Sequence, residues 1–230
     1  MKRTFSAILH KSFITIVASI LSVSLVACQQ DEIVEANIPC GQDHAVDLGL
    51  SVKWACCNIG ANSPEEYGNY YAWGESEEKN SCEWHNYKWH DNTTGGMTKY
   101  NDEDGKKDLS LEDDAAQILW GEDWRMPTPE EMQELKDRCK WEWVSVNGVL
   151  GYKVSGNGNS IFLPAAGSQY VKQFTSRGSQ GCYLSSTLYS EDSGLVVCMG
   201  FNQKQRYTIN SERCDGHTIR PVRKYTSYRK

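Results

Sequence analysis

The sequence carries little positive charge and lacks the short motifs of several familiar protein classes. Its 24 Lys and Arg residues stand against 30 Asp and Glu, which gives a net charge of −6. Basic blocks are missing apart from short pairs near the C-terminus, so we expect no nucleic-acid partner, because phosphates are bound through clustered Lys and Arg. No Gly-x-Ser-x-Gly motif of a serine hydrolase is present. The sequence also has no Cys-x-x-Cys pair and no His at zinc-finger spacing, which argues against a structural zinc site.

The beginning of the chain has the zones of a secretory signal. Positive charge is followed by an apolar stretch over residues 13–27, which is short for a membrane span. The stretch ends on Leu-Val-Ala before Cys28, and this ending resembles the bacterial lipobox. The resemblance implies that residues 1–27 are a signal peptide. It also implies that Cys28 carries fatty acyl chains such as palmitate, which anchor the protein to a membrane.

The residues after Cys28 indicate a destination. Residues 29–32 (QQDE) resemble the export signal that sends lipoproteins of the Bacteroides group to the outer face of the outer membrane. We therefore expect a lipoprotein anchored in the outer membrane and facing the exterior. Removal of the signal takes away three positive charges and no acid, so the net charge changes from −6 to −9 in the mature chain.

The mature chain is predicted to hold a tether, one domain and a tail, at residues 28–43, 44–224 and 225–230. Residues 45–60 alternate apolar and polar side chains, which predicts a half-buried strand with a bend at Gly49. Residues 76–110 are rich in Asn, Asp, Gly and Ser with scattered aromatics, which predicts a long irregular loop.

Two helices are predicted after this loop. The first covers residues 111–120, with Ala115, Ile118 and Leu119 facing inward. The second begins at Pro129, because Thr128 can cap it and Glu131 can complete a capping box. Beyond the second helix the pattern is mostly strands separated by Asn-Gly turns. This order of elements predicts an α+β domain with antiparallel sheet.

The domain resembles a known family over nearly all of its length. The matching segments are 46–55 (VDLGLSVKWA), 57–61 (CNIGA), 70–75 (YYAWGE), 113–116 (DDAA), 124–128 (WRMPT), 158–167 (GNSIFLPAAG) and 219–222 (IRPV). On these segments the chain resembles the Fibrobacter succinogenes major paralogous domain of exported bacterial proteins. That family is similar to the formylglycine-generating-enzyme branch of C-type-lectin-like folds. The resemblance implies a C-type-lectin-like α+β domain with short twisted antiparallel sheets, two helices and long loops.

Cysteines are numerous, and an exported protein meets an oxidising environment in which disulfides form. The family resemblance implies a disulfide between Cys57 and Cys139. Cys56 would point to the opposite face of the strand from its neighbour Cys57, so the two cannot share one environment. The pairing of the remaining cysteines is left open: Cys40, Cys56, Cys82, Cys182, Cys198 and Cys214.

No catalytic residue is predicted. Formylglycine-generating enzymes use two reactive cysteines near a copper ion, but no pair here aligns with them, and Cys182 and Cys198 are expected in a disulfide or in the core. His85 and His90, together with Asp91, have a spacing that could bind a transition metal, although solvated loop histidines are commoner. We therefore predict no resident metal or cofactor. Calcium at the acidic residues 101–105 is left as an alternative, although they do not fit the EF-hand register.

Aromatic residues in the long loop are the predicted ligand-binding groups. The flat rings of Trp84, Tyr87 and Trp89 could stack on a sugar or anchor a protein partner. The alternative is that they plug the domain's own core. The sequence thus predicts a non-enzymatic surface module that binds a glycan or a protein, for adhesion or polysaccharide capture. A structural envelope lipoprotein and an enzyme related to formylglycine-generating enzymes are the two alternatives.

Overall fold

The computed structural model describes Cys40 and residues 44–225 of the chain. The predicted signal peptide, the lipidation site Cys28, nearly all of the predicted tether and most of the predicted tail lie outside the described residues. In the described part of the chain, no helix combines the length and the apolar character needed to cross a membrane.

Eleven strands and two α-helices form the described domain, which confirms the predicted α+β class. The helices are α1 (Ala115–Trp120) and α2 (Pro129–Arg138). The strands are β1 (Ala45–Val46), β2 (Lys53–Ala55), β3 (Lys140–Val146), β4 (Val149–Gly156), β5 (Asn159–Pro164), β6 (Ser168–Tyr170), β7 (Gln173–Thr175), β8 (Gln180–Leu188), β9 (Leu195–Asn202), β10 (Arg206–Glu212) and β11 (Val222–Arg223). Single 3-10 turns lie at Trp84–Asn86 and Leu111–Asp113.

The strands form small sheets in which every strand pair is antiparallel, as predicted. Their orders are β1-β2-β11, β3-β4-β5, β10-β9-β8 and the hairpin β6-β7. The first of these sheets joins the two ends of the domain, because Trp54 of β2 pairs with Val222 of β11. Asn147 and Gly148 turn between β3 and β4 with φ of 48° and 83°, and this left-handed backbone is the reason for the Asn-Gly sequence there.

The β10-β9-β8 sheet separates two hydrophobic cores. Side chains alternate across its strands, so Tyr183, Met199 and Phe201 face the first core while Leu184 and Cys198 face the second. The first core is completed by β2, β4, β5 and α2, and the second by the irregular segments between β2 and α1. The long loop predicted over residues 76–110 is therefore part of the protein interior as well as of the surface.

Helix α2 begins as its sequence predicts. Thr128 Oγ1 accepts from the Glu131 N–H at 3.3 Å, and Glu131 Oε2 accepts from the Thr128 N–H at 2.9 Å, which forms the predicted capping box. Met132 and Leu135 are buried against the first core. The residue after the helix, Cys139, caps its C-terminus.

Helix α1 differs from its prediction. It starts at Ala115 instead of residue 111, and the Asp114 carboxylate caps it by accepting from the Ala116 N–H at 2.9 Å. The later start buries Ala115 and Ala116 and leaves Ile118 and Leu119 exposed by 48% and 41%. The inward orientation predicted for these two residues is therefore wrong, because a six-residue helix has only one buried turn.

The predicted strand over residues 45–60 is bent into two short strands. Gly49 adopts a φ of 74°, and its N–H donates to Asp47 Oδ1 at 2.8 Å, so a tight turn interrupts the pairing. The alternating apolar residues are nonetheless buried as predicted: Val46, Leu48, Leu50, Val52 and Trp54. The hydrophobic pattern predicted the burial, and the glycine predicted the bend at Gly49.

Candidate functional site

The three aromatic residues predicted to bind a ligand belong mainly to the second core. Tyr87 is 3% and Trp89 is 6% exposed, and their rings meet edge to face with centroids 5.8 Å apart. The Tyr87 hydroxyl donates to the Trp73 carbonyl at 2.8 Å. Trp84 is partly buried and packs its ring edge against Tyr87. The binding role is therefore corrected: neither Tyr87 nor Trp89 offers a ring face to solvent, because the loop folds back to fill the core.

A fully buried arginine lies among these rings. The Arg213 guanidinium is 4.9 Å from the Trp73 ring centroid and 5.2 Å from that of Tyr87. Its Nε donates to the Tyr87 hydroxyl at 2.7 Å. Its Nη1 donates to the carbonyls of Tyr100 and Ser193, each at 3.0 Å. The positive charge of Arg213 is thus stabilised by aromatic ring faces and by carbonyl oxygens from two separate loops.

The two loops held by Arg213 are the walls of a surface cleft of about 350 Å³. We refer to it as the Arg213 cleft; one wall is formed by residues 100–107 and the other by residues 188–193. The walls are also joined at the edge, where the Leu188 N–H donates to the Lys107 carbonyl at 2.8 Å. In addition, Lys107 Nζ donates to the Ser190 carbonyl at 3.1 Å.

Polar side chains line the Arg213 cleft. They offer an amide, carboxylates, ammonium groups, hydroxyls and one phenol ring: Asn101, Asp102, Lys106, Lys107, Tyr189, Ser190, Glu191, Asp192 and Ser193. These groups donate and accept hydrogen bonds at short range from fixed walls. Such a lining suits an uncharged, hydroxyl-rich ligand better than an apolar one.

The acidic residues considered for calcium organise their own loop. Asp104 accepts from the N–H groups of Tyr100, Asn101 and Lys106 at 2.6, 3.1 and 2.9 Å. Burial acts to raise the pKa of Asp104, but these three backbone donors hold that pKa below its usual value. The acidic run thereby fixes the 100–107 wall of the cleft through hydrogen bonds to its own backbone.

The structure does not bring together the histidines that were considered for a transition metal. His85 Nδ1 lies 3.4 Å from Glu83, whereas His90 Nδ1 lies 3.0 Å from the Asn92 amide oxygen. The Asp91 carboxylate accepts from the N–H of Thr93. Within the described residues, the groups of three or more side chains able to ligate a metal lie elsewhere.

The cysteine pairing implied by the resemblance differs from the observed one. Cys40 and Cys56 form a disulfide with Cα atoms 5.6 Å apart, whereas Cys57 and Cys139 are free thiols in the described structure. Cys57 turns inward and donates from its thiol to the Ala61 carbonyl at 3.4 Å. Since Cys56 and Cys57 point to different environments, only one of them can reach Cys40.

Two further cysteines and a histidine form a compact group that the sequence did not reveal. Cys182 of β8, Cys198 of β9 and His217 place two sulfurs and one ring nitrogen within 4.8 Å of one another. Cys198 and His217 are buried, and Cys182 is partly exposed. We call this group the thiol–histidine cluster. Its members come from three separate segments, so sequence spacing carries no signal for it.

Hydrogen bonds and charge polarise the thiol–histidine cluster. The neighbouring Cys198 side chain and the His217 ring hold the pKa of Cys182 well below its usual value, while the same proximity to Cys182 raises the pKa of Cys198. Burial acts to lower the pKa of His217, but the Cys182 sulfur and Asp215 raise it above its usual value. Of the two sulfurs, Cys182 is therefore the one that loses its proton more readily.

Comparisons with known proteins found no matching family model, no matching curated protein and no matching solved structure. The Arg213 cleft and the thiol–histidine cluster are the two candidate sites within the described residues.

Proposed function

We propose that this chain is a lipid-anchored cell-surface protein whose domain, of C-type-lectin-like fold, binds a glycan in the Arg213 cleft without catalysing a reaction. The observation that carries the proposal is the clamping of both cleft walls by the buried guanidinium of Arg213. The buried guanidinium gives this polar cleft a rigid floor. A depression that is filled only by solvent does not need such a floor.

Rigid walls favour binding because the ligand does not have to order them. The immobilisation of loops and side chains subtracts from affinity, roughly 0.5–1.5 kcal/mol for each long side chain that becomes ordered. Here the wall at 100–107 is fixed by Asp104, and the wall at 188–193 is fixed by the Asp192 Oδ1 that accepts from the Gly194 N–H at 2.8 Å. The cleft is therefore prepared before a ligand arrives.

The chemistry of the lining favours a glycan over a protein partner. Protein-binding surfaces use exposed aromatic and apolar anchors at their centre. In this cleft the aliphatic residue, Leu188, is buried, and the accessible groups are polar apart from the partly exposed ring of Tyr189. A sugar offers hydroxyls for the polar groups and an apolar ring face for Tyr189.

Binding without catalysis is supported by what two of the three cleft carboxylates, Glu191 and Asp192, already do; the third, Asp102, lies on the opposite wall. Hydrolysis of a glycosidic bond uses two facing carboxyl groups, one acting as an acid and the other as a base or nucleophile. Glu191 Oε2 accepts from the Tyr189 hydroxyl at 2.8 Å, and Asp192 accepts from a backbone N–H of its own turn. Both carboxylates therefore stabilise the 188–193 wall.

Surface display and the lectin-like fold are supported by the sequence. The lipobox-like ending before Cys28 and the acidic residues after it are typical of exported lipoproteins of the outer membrane. The mixture of two helices and small antiparallel sheets is consistent with the fold that the family resemblance implies. A ligand on the outer face of the cell fits adhesion or polysaccharide capture.

A glycan and matrix-protein array probed with the soluble fragment from Gln30 onward tests the proposal. We expect binding to one or a few related glycans. Tyr189→Ala and Asp102→Ala, on opposite walls, should each weaken that binding at least about tenfold, since both remove groups that line the cleft. Lys153→Ala, which lines a shallower depression on β4, is the matched control and should bind as the unaltered fragment does.

Two results contradict the proposal. The first is glycan binding that survives both Tyr189→Ala and Asp102→Ala but is lost in Lys153→Ala, which would place the site elsewhere. The second is a fragment that binds no glycan and instead co-purifies with envelope proteins, which would favour a structural role in the envelope.

A further inference from the structure

We infer that Cys182, Cys198 and His217 form a binding site for a zinc-class divalent cation, with these three side chains as ligands and one position left for water. The inference is independent of the glycan proposal, because the thiol–histidine cluster lies between β8, β9 and the segment before β11, whereas the Arg213 cleft lies between two surface loops.

The geometry of the cluster suits tetrahedral coordination. Zinc binds a thiolate at about 2.3 Å and an imidazole nitrogen at about 2.0 Å, so two ligand atoms of one tetrahedron are roughly 3.5–3.8 Å apart. The three ligand atoms here lie within 4.8 Å of one another. Small rotations of the side chains would close the remaining gap. The ligands are carried by paired strands β8 and β9, which hold Cys182 and Cys198 on the same face.

The histidine is oriented as a metal ligand. Its Nε2 is 2.8 Å from Ser211 Oγ, and that hydroxyl donates onward to Asp215 Oδ2 at 3.3 Å. Because Ser211 gives its hydrogen to Asp215, it accepts the hydrogen of Nε2, and the lone pair of the neutral ring is then on Nδ1. A series of hydrogen bonds from the imidazole to a carboxylate is the arrangement that usually orients a metal-bound histidine.

An unused polar atom in the interior points to a missing partner. His217 is 2% exposed, and its Nδ1 is buried without a hydrogen-bond partner among the described residues. A buried nitrogen lone pair that is left unpaired costs free energy, which makes a vacant ligand position unfavourable. A cation held with Cys182 and Cys198 would satisfy this atom.

Charge selects the class of cation. Two thiolates and a neutral imidazole together carry two negative charges, which a divalent ion neutralises in a buried site. A monovalent ion would leave net negative charge next to the Asp215 carboxylate, which burial disfavours. On binding, the protons of the two thiols and any proton on Nδ1 pass to solvent. Thiolate and imidazole ligands with tetrahedral spacing are those that zinc prefers.

The fourth position remains for solvent. Sites with four protein ligands are closed, whereas sites with three protein ligands keep a position for water. Cys182 is partly exposed while Cys198 and His217 are buried, so the accessible side of the cluster is at Cys182.

Cobalt(II) is the probe for the test. Because reduction would also open the Cys40–Cys56 disulfide, whose sulfurs lie beside His44, the full chain carrying Cys40→Ser and Cys56→Ser is used. It is purified with its remaining thiols reduced under anaerobic conditions, stripped with a chelator and titrated with Co²⁺. We expect one equivalent to produce thiolate-to-cobalt charge-transfer absorption and the intense visible bands of tetrahedral cobalt, both removed by Zn²⁺. Cys182→Ser and Cys198→Ser should each diminish the charge-transfer absorption and weaken binding, and His217→Ala should weaken binding at least about tenfold.

Two further variants separate ligation from a general effect on the fold. Ser211→Ala removes the support of the imidazole and should lower affinity about tenfold while it keeps the charge-transfer absorption. Cys57→Ser removes a buried thiol of the first core and should leave cobalt binding unchanged. If ligand variants fail to fold, X-ray absorption of the zinc-loaded Cys40→Ser/Cys56→Ser chain serves instead, with two sulfurs and one imidazole nitrogen expected around zinc.

The inference is overturned by any of three results. One is the absence of cobalt absorption although Cys182 and Cys198 are shown by alkylation to be reduced. Another is an X-ray absorption spectrum without sulfur ligands. The third is a Cys182–Cys198 disulfide that forms completely in cells supplied with zinc. Each of these leaves the result of the glycan array unaffected.

Discussion

Arg213 Nε donates a hydrogen bond of 2.7 Å to the Tyr87 hydroxyl in the middle of the second core. This contact explains why a tyrosine predicted to meet a ligand faces inward. The phenol accepts from the guanidinium and donates to the Trp73 carbonyl, so both of its hydrogen-bonding functions are used. Burial raises the pKa of Tyr87, and the phenol therefore stays neutral beside the cation.

Replacement of this arginine should destabilise the whole domain. Arg213→Ala removes donors to the Tyr100 and Ser193 carbonyls and leaves a cavity among aromatic rings, so we expect a loss of about 3–5 kcal/mol in the free energy of unfolding. Urea denaturation measures the loss, and hydrogen exchange should show faster exchange at 188–193. Arg206→Ala, an exposed arginine of β10, is the control, with a loss below about 1 kcal/mol expected. An equally small loss of stability in Arg213→Ala would contradict the conclusion that Arg213 holds the two cleft walls together.

Stability should depend on pH through Asp113. Burial acts to raise its pKa, but Lys99, the Tyr100 hydroxyl at 2.7 Å and Lys88 at 3.0 Å together hold that pKa below its usual value. For a carboxyl with a depressed folded pKa, the stabilisation is complete above the unfolded pKa, near about 3.9, and is lost as pH falls through the folded pKa.

Asp113→Asn should therefore cost about 2 kcal/mol at neutral pH and much less in strong acid. Thermal unfolding of both proteins across the acidic range measures the difference. Glu112→Gln is the control, since Glu112 is the exposed neighbour that also reaches Lys99, at 3.5 Å, and its effect should stay within about 0.5 kcal/mol. A pH-independent difference for Asp113→Asn would exclude the carboxylate as its cause.

The disulfide is expected at Cys40–Cys56. Its sixteen-residue separation gives a stabilisation of about 3 kcal/mol in the chain-entropy model. Cys40→Ser should lower stability by that amount, whereas Cys139→Ser should have a small effect. Non-reducing peptide mapping identifies the bond directly. A bond between Cys57 and Cys139, with Cys40 alkylatable, would reverse the assignment and favour the pairing implied by the family resemblance.

Lipid attachment is expected at Cys28. Cys28→Ala should abolish incorporation of labelled fatty acid and leave the protein in its uncleaved form or release it from the membrane fraction. Protease treatment of intact cells should digest the domain of the unaltered protein, because the domain is proposed to face the exterior. Protection of the domain in intact cells would contradict surface display.

Patterns along the chain predicted those features of the fold that depend on neighbouring residues. The capping box at Thr128, the Asn-Gly turn at 147–148 and the burial of the apolar residues around Trp54 are all local in origin. The glycine predicted the bend at Gly49, whereas the late start of α1 was not predicted. In both places an aspartate side chain, at Asp47 and Asp114, bonds to backbone N–H groups and replaces the regular pattern.

The candidate sites were harder to predict because their residues meet only in three dimensions. Trp84, Tyr87 and Trp89 lie in a polar segment of the sequence. Their neighbours in the sequence do not indicate that this segment packs into the core, where Tyr87 accepts a hydrogen bond from the distant Arg213. The thiol–histidine cluster is equally non-local, since His217 reaches it from outside β8 and β9. For the buried aromatic residues, the sequence signal that could have been used was a charged residue, Arg213, between two strand-like segments.

The pairing of β2 with β11 also fixes when the domain can fold. Trp54 pairs with Val222, the Ile59 N–H donates to the Ile219 carbonyl, and the Tyr71 N–H donates to the His217 carbonyl, so both cores are sealed by residues from opposite ends. Such distant contacts form slowly, and none can form until the later partner of each pair has been synthesised. Neither core can therefore be completed until residues 217–222 have left the ribosome.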